Sequence, residues 1–155
     1  MSANTWAGAA SYSAGMATEL NSLAAGSVAY STTIFDNTTS LNTDAWFSVN
    51  LASVAPSANA PLLEIYLLPL NADGQTYGDA PTGSGGTQST SIPSWTYKAA
   101  SISFRSSTTA AAQTGTAKMP TELPPMKFMI AVVNSLGSAL GATGNSLQVS
   151  TNSVA

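Results

Sequence analysis

The chain contains no histidine and no cysteine, and its 155 residues carry four cations and seven carboxylates. Without histidine a Ser-His-Asp triad is excluded, and without cysteine so are disulfides and thiolate zinc sites. The four cations are scattered, whereas a nucleic-acid surface needs several phosphate-neutralising cations on one face. Because acidic and basic side chains are so few, the composition favours a binding or structural protein without a cofactor over an enzyme.

Long apolar runs are also missing. No stretch approaches the ~20 apolar residues of a membrane helix, and the N-terminus lacks the basic and apolar regions of a standard signal peptide. We therefore expect a soluble protein with no membrane partner. A net charge of −3 gives little repulsion against self-association, so we also expect a homo-oligomer that works within an assembly.

Short runs with strand periodicity occur along most of the sequence. From Asp44 to Leu51, apolar side chains alternate with polar ones, apart from Trp46, which interrupts the polar face. The segment 106–117, made of small residues, is interpreted as a loop or an edge, and 134–145 as a hairpin loop. The predicted strands are 27–35, 44–51, 62–68, 96–104, 126–133 and 146–150.

These strands predict an all-β fold, a single antiparallel β-sandwich that is jelly-roll-like. We assign residues 18–155 to the sandwich and residues 1–17 to an extended N-terminal arm, because the first residues are small and polar. A short helical turn is expected within 18–25, where leucines recur at helical spacing.

Four aromatic residues are candidates for contact with a partner: Trp6 and Tyr12 in the arm, together with Trp46 and Trp95. Large aromatic side chains often anchor interfaces. Two alternatives stay open at this point. Trp46 and Trp95 could instead form a sugar-stacking platform with Tyr66, Tyr77 and Tyr97, or these aromatic residues could be ordinary core material, the interpretation that we favour.

Two groups of oxygen-bearing side chains each have a functional and a structural interpretation. Glu64 lies inside an apolar strand, where it is either a general acid or, the interpretation that we favour, an ion-pair partner for a Lys or Arg. Asn71, Asp73 and Asp79 share one loop, but their spacing differs from an EF-hand, and a turn explains them better than a metal site.

Three stretches together resemble small virion proteins of tailed bacteriophages. They are Glu19 to Ala24, then Glu64 to Pro69 with its following loop, and Leu123 to Phe128 followed by Asn134, Gly137, Gly144-Asn145 and Leu147. The resemblance implies a β-sandwich structural component of the particle, often a capsid decoration (cement) protein, with no catalytic residues. Independently of it, Asn134, Gly137, Gly144 and Asn145 suit turns that need a positive φ.

The sequence therefore predicts a non-enzymatic protein of the virion, located on the capsid surface. Its expected partners are the major capsid protein and further copies of the chain itself. The alternative is a tail-associated or host-glycan-binding β-sandwich module, in which Trp46, Trp95 and Tyr97 would stack on sugar.

Overall fold

The computed structural model describes residues 12–73 and 88–152, which form an all-β structure of nine strands and two 3₁₀ turns, Thr18–Leu20 and Trp95–Tyr97. Within these ranges no helix has the length and apolar character needed to cross a bilayer. The strands are β1 (Ser13–Met16), β2 (Val28–Asp36), β3 (Asp44–Val54), β4 (Leu62–Pro69), β5 (Gln88–Ser89), β6 (Lys98–Ser103), β7 (Ala111–Lys118), β8 (Lys127–Ser135) and β9 (Ser146–Asn152).

The strands form two antiparallel sheets that pack face to face. One has four strands in the order β1-β9-β3-β7, and the other has five in the order β5-β2-β8-β4-β6. Without the two-residue β5, each sheet has four strands, and the chain changes sheet at every connection except that from β4 to β6, as in a jelly roll. The predicted β-sandwich is confirmed, and each of the six predicted strands overlaps a strand of the structure.

The main core lies between the sheets, and period-2 patterning builds it. In β3, Ala45, Phe47, Val49 and Leu51 are buried and face the other sheet, as their alternation predicts. Strand β8, the middle strand of the five, has one exposed end residue and seven consecutive buried ones. Burial on both faces of β8 means that something also covers the outer side of its sheet.

That cover is a segment of the chain itself. Strand β5 pairs with β2 at one edge of the five-stranded sheet, whereas β6 is the opposite edge, so residues 90–97 cross the sheet. The Tyr30 hydroxyl donates a hydrogen bond to the Ser91 carbonyl (3.3 Å), and Tyr97 packs on the same face. Beneath lies a second apolar cluster, only 0–3% exposed, comprising Val28, Tyr30, Tyr66, Leu68, Met129, Ala131 and Val133.

Strand β7 resolves the loop-or-edge alternative for 106–117 in favour of an edge. Sterics explain why one of its residues is as small as glycine, because Gly115 faces inward against β6 of the other sheet. A Cβ at Gly115 would lie 2.3 Å from Ile102 Cγ2 and 3.5 Å from the Phe104 ring. The two sheets therefore approach closely along the side formed by β6 and β7, which is called the β6–β7 flank below.

The segment 134–145 is not a hairpin loop, because it leads from β8 in one sheet to β9 in the other. Gly137 and Gly144 do adopt positive φ, but Asn134 and Asn145 do not. Their buried amides bind backbone instead: Asn134 Nδ2 donates to the Leu23 and Ser138 carbonyls (both 2.9 Å). Asn145 Nδ2 donates to Gly141 O (2.7 Å) and Asn21 Oδ1 (3.1 Å).

These bonds join two of the three stretches on which the resemblance rests, the one that begins at Glu19 and the one that ends at Leu147. Leu20 and Leu23, which the sequence places in a helical turn, are fully buried between them, although the turn itself is a single 3₁₀ turn. The residues of the resemblance thus serve the fold, since they close one end of the sandwich.

The predicted arm is shorter than its assigned boundary. Ser13–Met16 is strand β1, an edge of the four-stranded sheet, and Met16 is buried in the main core. The alternation of β1 against β9 gives these residues a place in the sandwich that their small, polar composition does not reveal. Trp6 and the rest of 1–11 lie outside the described residues.

Candidate functional site

No described segment crosses the outer face of the four-stranded sheet, in contrast to the covered five-stranded sheet, although Ser150 of this face is itself buried. The strand register lines up three rows of side chains across it. Hydroxyl, amide and methyl groups dominate these rows, and Lys118 is their one cation. We call this surface the open face; its rows are Ser150-Trp46-Lys118, Ala14-Gln148-Ser48-Thr116 and Ser146-Asn50-Thr114.

Trp46 is the largest side chain of the open face and is 37% exposed. It lies directly opposite Lys118 on β7, whose Nζ is 6.0 Å from the centre of the indole ring. The same ammonium forms an ion pair with Asp44 Oδ2 at 2.9 Å. Trp46 is therefore a partly exposed aromatic beside a neutralised charge pair, which suits contact with a weakly charged surface.

Trp95 stands at the β6–β7 flank and is 73% exposed. Its 3₁₀ turn is closed by the backbone N–H of Tyr97, which donates to Ser94 O at 3.0 Å. Lys98 Nζ lies 4.2 Å from the centre of the indole ring and also forms an ion pair with Glu64. The cation holds the aromatic ring in place and leaves most of it open to solvent.

A cleft of about 390 Å³ lies at the β6–β7 flank beside Trp95. Lys98 and Lys118, each beside one of the tryptophans, lie on its two sides. Between them the wall consists of small side chains of β6, which leave room for a flat or extended group. The lining residues are Trp95, Lys98, Ala99, Ala100, Ser101, Lys118 and Pro120.

A second, wider cleft of about 1050 Å³ opens near the start of β7. Gln113 shapes it by bonding the backbone of Arg105 twice, at 3.2 Å each: its Oε1 accepts from the N–H and its Nε2 donates to the carbonyl. Serine and threonine hydroxyls line much of the remainder. Within the described ranges Arg105 is the cation without a carboxylate inside 4.0 Å.

Of the four predicted contact residues, Trp95 lines the smaller cleft, and Trp46 lies on the open face opposite Lys118, which is another lining residue of that cleft. Tyr12 is 39% exposed but precedes β1, at the opposite edge of the four-stranded sheet. Trp6 lies outside the described residues. Of the other aromatics proposed for a platform, Tyr66 is buried in the outer cluster and Tyr97 packs against that cluster, whereas Tyr77 lies outside the described residues.

Sequence reasoning missed Lys98 and Lys118 as members of the site, because twenty residues separate them and each looks like an isolated surface cation. The antiparallel ends of β6 and β7 place both at one cleft. A signal does exist in the sequence: Lys98 begins a strand next to Trp95, and Lys118 ends a strand of small residues. Which two strand ends meet depends on the fold.

The described carboxylates serve mainly structural contacts. Glu64 is the ion-pair partner that we favoured, with Lys98, and it also accepts a bond from the Ser135 hydroxyl (3.4 Å). Asp36 pairs with Lys127 at 3.3 Å. In residues 12–73 and 88–152, no group of three or more acidic side chains could hold a metal. Of the predicted oxygen-rich loop, Asn71 and Asp73 are described, and Asp79 lies outside the described residues.

Two carboxylates and one phenol have displaced pKa values. Burial works to raise the pKa of Glu19, but bonds from the Thr32 hydroxyl and from the N–H groups of Thr32 and Ala17 outweigh it and lower this pKa. The Thr38 hydroxyl and N–H lower the pKa of Asp36. Burial, together with the nearby charge of Glu64, raises the pKa of Tyr66. Each shift follows from local packing or capping, away from the open face.

Comparison with protein families, with curated proteins and with solved structures found no match.

Proposed function

We propose that this chain is a non-enzymatic structural protein of a bacteriophage particle, which binds the outer surface of the capsid and stabilises the joints between capsomers. The observation that carries the proposal is the asymmetry of the sandwich. One outer face is covered by the chain itself, whereas no described segment crosses the other, a four-stranded surface with a partly exposed tryptophan and a single cation.

Charge supports a protein partner over a polyanion. Three of the four cations are each engaged with a carboxylate, Lys98 with Glu64, Lys118 with Asp44 and Lys127 with Asp36. A surface of hydroxyls and amides is cheap to desolvate compared with one of free charges. It can therefore lie against a shell of repeated subunits, and contacts on several capsomers add up through avidity.

Two further considerations support the proposal. The jelly roll is an architecture of viral capsid domains, although it also serves lectins and other functions, so the fold alone does not choose among them. The sequence resemblance to small virion proteins does favour the particle, and its described residues have positions in the sandwich that account for their identity, as at Asn134 and Asn145.

The first experiment is cryo-electron microscopy of the virus particle whose genome encodes this chain. We expect many symmetric copies on the icosahedral shell, with the open face turned toward shell subunits. A few copies at the tail would move the chain to the alternative function, and absence from the particle would overturn both.

A binding assay tests the open face itself. Particles stripped of the chain are titrated with purified wild-type protein and with Trp46→Ala. If Trp46 is an anchor, its loss costs about 2 kcal/mol, or roughly a thirtyfold weaker apparent Kd. Leu41→Ala is the matched control, because Leu41 is 58% exposed in the β2–β3 connection. Equal binding by the two variants would remove Trp46 from the interface.

A host-glycan-binding module in the tail is the second candidate, and Trp95 favours it. An indole that is 73% exposed and has a cation fixed beside it is a ready stacking surface for a sugar ring. A glycan-array signal that disappears in Trp95→Ala would support this function. If the wild-type protein binds no glycan on the array, this function is contradicted.

A further inference from the structure

Among residues 12–73 and 88–152, strand β7 is paired along one backbone edge and has no partner along the other. It is eight residues long, none of them buried, and in the described ranges β3 is the strand that pairs with it. The other described edge strands are shorter, with four residues in β1, two in β5 and six in β6. A row of free N–H and C=O groups is a template for a further strand.

The usual protections of an edge are nearly absent from β7. Its residues up to Ala117 are Ala, Gln, Thr and Gly, with no proline and no charge, and Lys118 is the last. A register shift against β3 lies at its beginning, between Gln113 and Ala111, so the pairing from Gln113 onward is regular. An exposed strand of this composition accepts another strand without a steric or electrostatic barrier.

We propose that β7 pairs antiparallel with β7 of a second copy of this chain, about a two-fold axis through Gly115. The two four-stranded sheets then form one continuous sheet of eight strands. Directly opposed residues in such a pair lie on the same face, so Thr114 of each copy faces Thr116 of the other on the open side. This inference goes beyond the proposed function and holds wherever in a particle the chain is located.

The arrangement of charge selects a second copy as the occupant. In this register Lys118 faces Ala112 of the second copy, so the two lysines are about 20 Å apart along the strands, more than two Debye lengths. Each lysine is also neutralised by Asp44 of its own chain. The central Thr–Thr pairs are favourable cross-strand neighbours. The strand is thus complementary to itself.

Pairing at β7 joins the functional surfaces as well as the backbones. Because the axis is perpendicular to the sheet, both open faces point to the same side, and each copy places its Trp46 on that side. The antiparallel direction also brings the Arg105 end of one strand beside the Lys118 end of the other, where the exposed Trp95 stands. A doubled open face offers two linked contacts to one partner.

The test is a charge swap on the open side of β7. Purified wild-type chain should sediment at about 31 kDa, twice its 15.6 kDa, with a concentration-dependent monomer fraction. Thr114→Lys/Thr116→Lys places two like-charged pairs across the joint and should weaken dimerisation at least about tenfold. Thr114→Glu/Thr116→Glu should do the same, and an equimolar mixture of the two variants should recover a 1:1 dimer.

Thr33→Lys/Gln148→Lys is the control, because it adds the same charge at exposed strand positions away from β7. A wild-type chain that remains monomeric up to about 1 mM overturns the proposal. So does a dimer that persists in both charged variants. A monomeric chain also overturns pairing with a second copy and leaves the proposed function standing if the Thr114→Lys/Thr116→Lys variant loses occupancy on the particle while the control, which adds charge to the open face at Gln148, keeps it; that result assigns the β7 edge to a shell strand.

Discussion

The two outer faces of this sandwich are built from similar strands, but one is buried under a segment of the chain and the other is largely exposed. On the five-stranded sheet, Tyr30, Tyr66 and Met129 point outward and are buried, because residues 90–97 cross over them. On the four-stranded sheet, the equivalent rows hold serine, threonine, asparagine and glutamine, and nothing described covers them. The sheet with apolar outward-facing rows is thus the one that a segment covers. The sheet whose outward-facing rows are polar and largely uncharged has no such covering segment among the described residues.

The sharpest test of this contrast is the removal of one aromatic from each face. Tyr66→Ala should destabilise the protein by about 3–5 kcal/mol, because it opens a cavity under the covering segment. Trp46→Ala, on the open face, should cost less, about 1–2 kcal/mol, since the residue is already 37% exposed and its removal leaves no closed cavity. Urea unfolding of both variants measures the difference. Equal costs would contradict the division into a structural face and a binding face.

A smaller effect is expected beneath the open face, at its β7 edge. Gly115→Ala places a methyl group 2.3 Å from Ile102 Cγ2, so we expect overpacking to cost about 1–3 kcal/mol in urea unfolding. Ile102→Ala on its own also destabilises, but in the double variant the two changes should compensate in part, which gives a coupling of at least about 0.5 kcal/mol.

Thr116→Ala is the control for that cycle, because Thr116 lies on the outward side of the same strand and should change stability by less than about 0.5 kcal/mol. Strict additivity of Gly115→Ala and Ile102→Ala would show that the close approach of the sheets at the β6–β7 flank is not what requires the glycine.

The smallest effect contrasts Glu19, which binds Thr32 of the five-stranded sheet from a 3₁₀ turn, with Asp44 in the four-stranded sheet. Glu19 is buried, and its carboxylate holds β2 through a hydrogen bond from Thr32. Because the pKa of Glu19 is lowered in the folded protein, its stabilising contribution is present above the ordinary pKa of 4.5 and is lost as the pH falls through the lowered value. Glu19→Gln should therefore cost about 1–2 kcal/mol at pH 7 and progressively less below pH 4.5. Unfolding curves between neutral and acidic pH measure this convergence.

Asp44→Asn supplies the comparison on the open face. The Asp44–Lys118 pair is partly exposed, with side chains 22% and 44% accessible, so its loss should cost only about 0–1 kcal/mol. If Asp44→Asn proves as costly as Glu19→Gln at neutral pH, the open face contributes more to stability than its exposure indicates.

The strands themselves could be predicted because their pattern is local. Alternation in Asp44–Leu51 and Ser146–Ser150 is visible in any short window, and it identified the buried side of β3 and β9 correctly. Strand β7 carries no such pattern, since Gly115 and its neighbours are small on both sides. Its strand state comes from pairing with β3, more than fifty residues earlier in the chain.

The sequence by itself determined the all-β class, the burial of β3, β8 and β9, and the scarcity of charge that marks every exposed surface. Only the tertiary structure decided which outer face is covered, that Lys98 and Lys118 share a cleft, and that Asn134 and Asn145 bind distant carbonyls instead of adopting positive φ. The physical reason is distance along the chain. Side-chain periodicity acts over a few residues, whereas strand order and the path of residues 90–97 follow from packing the whole chain around one core.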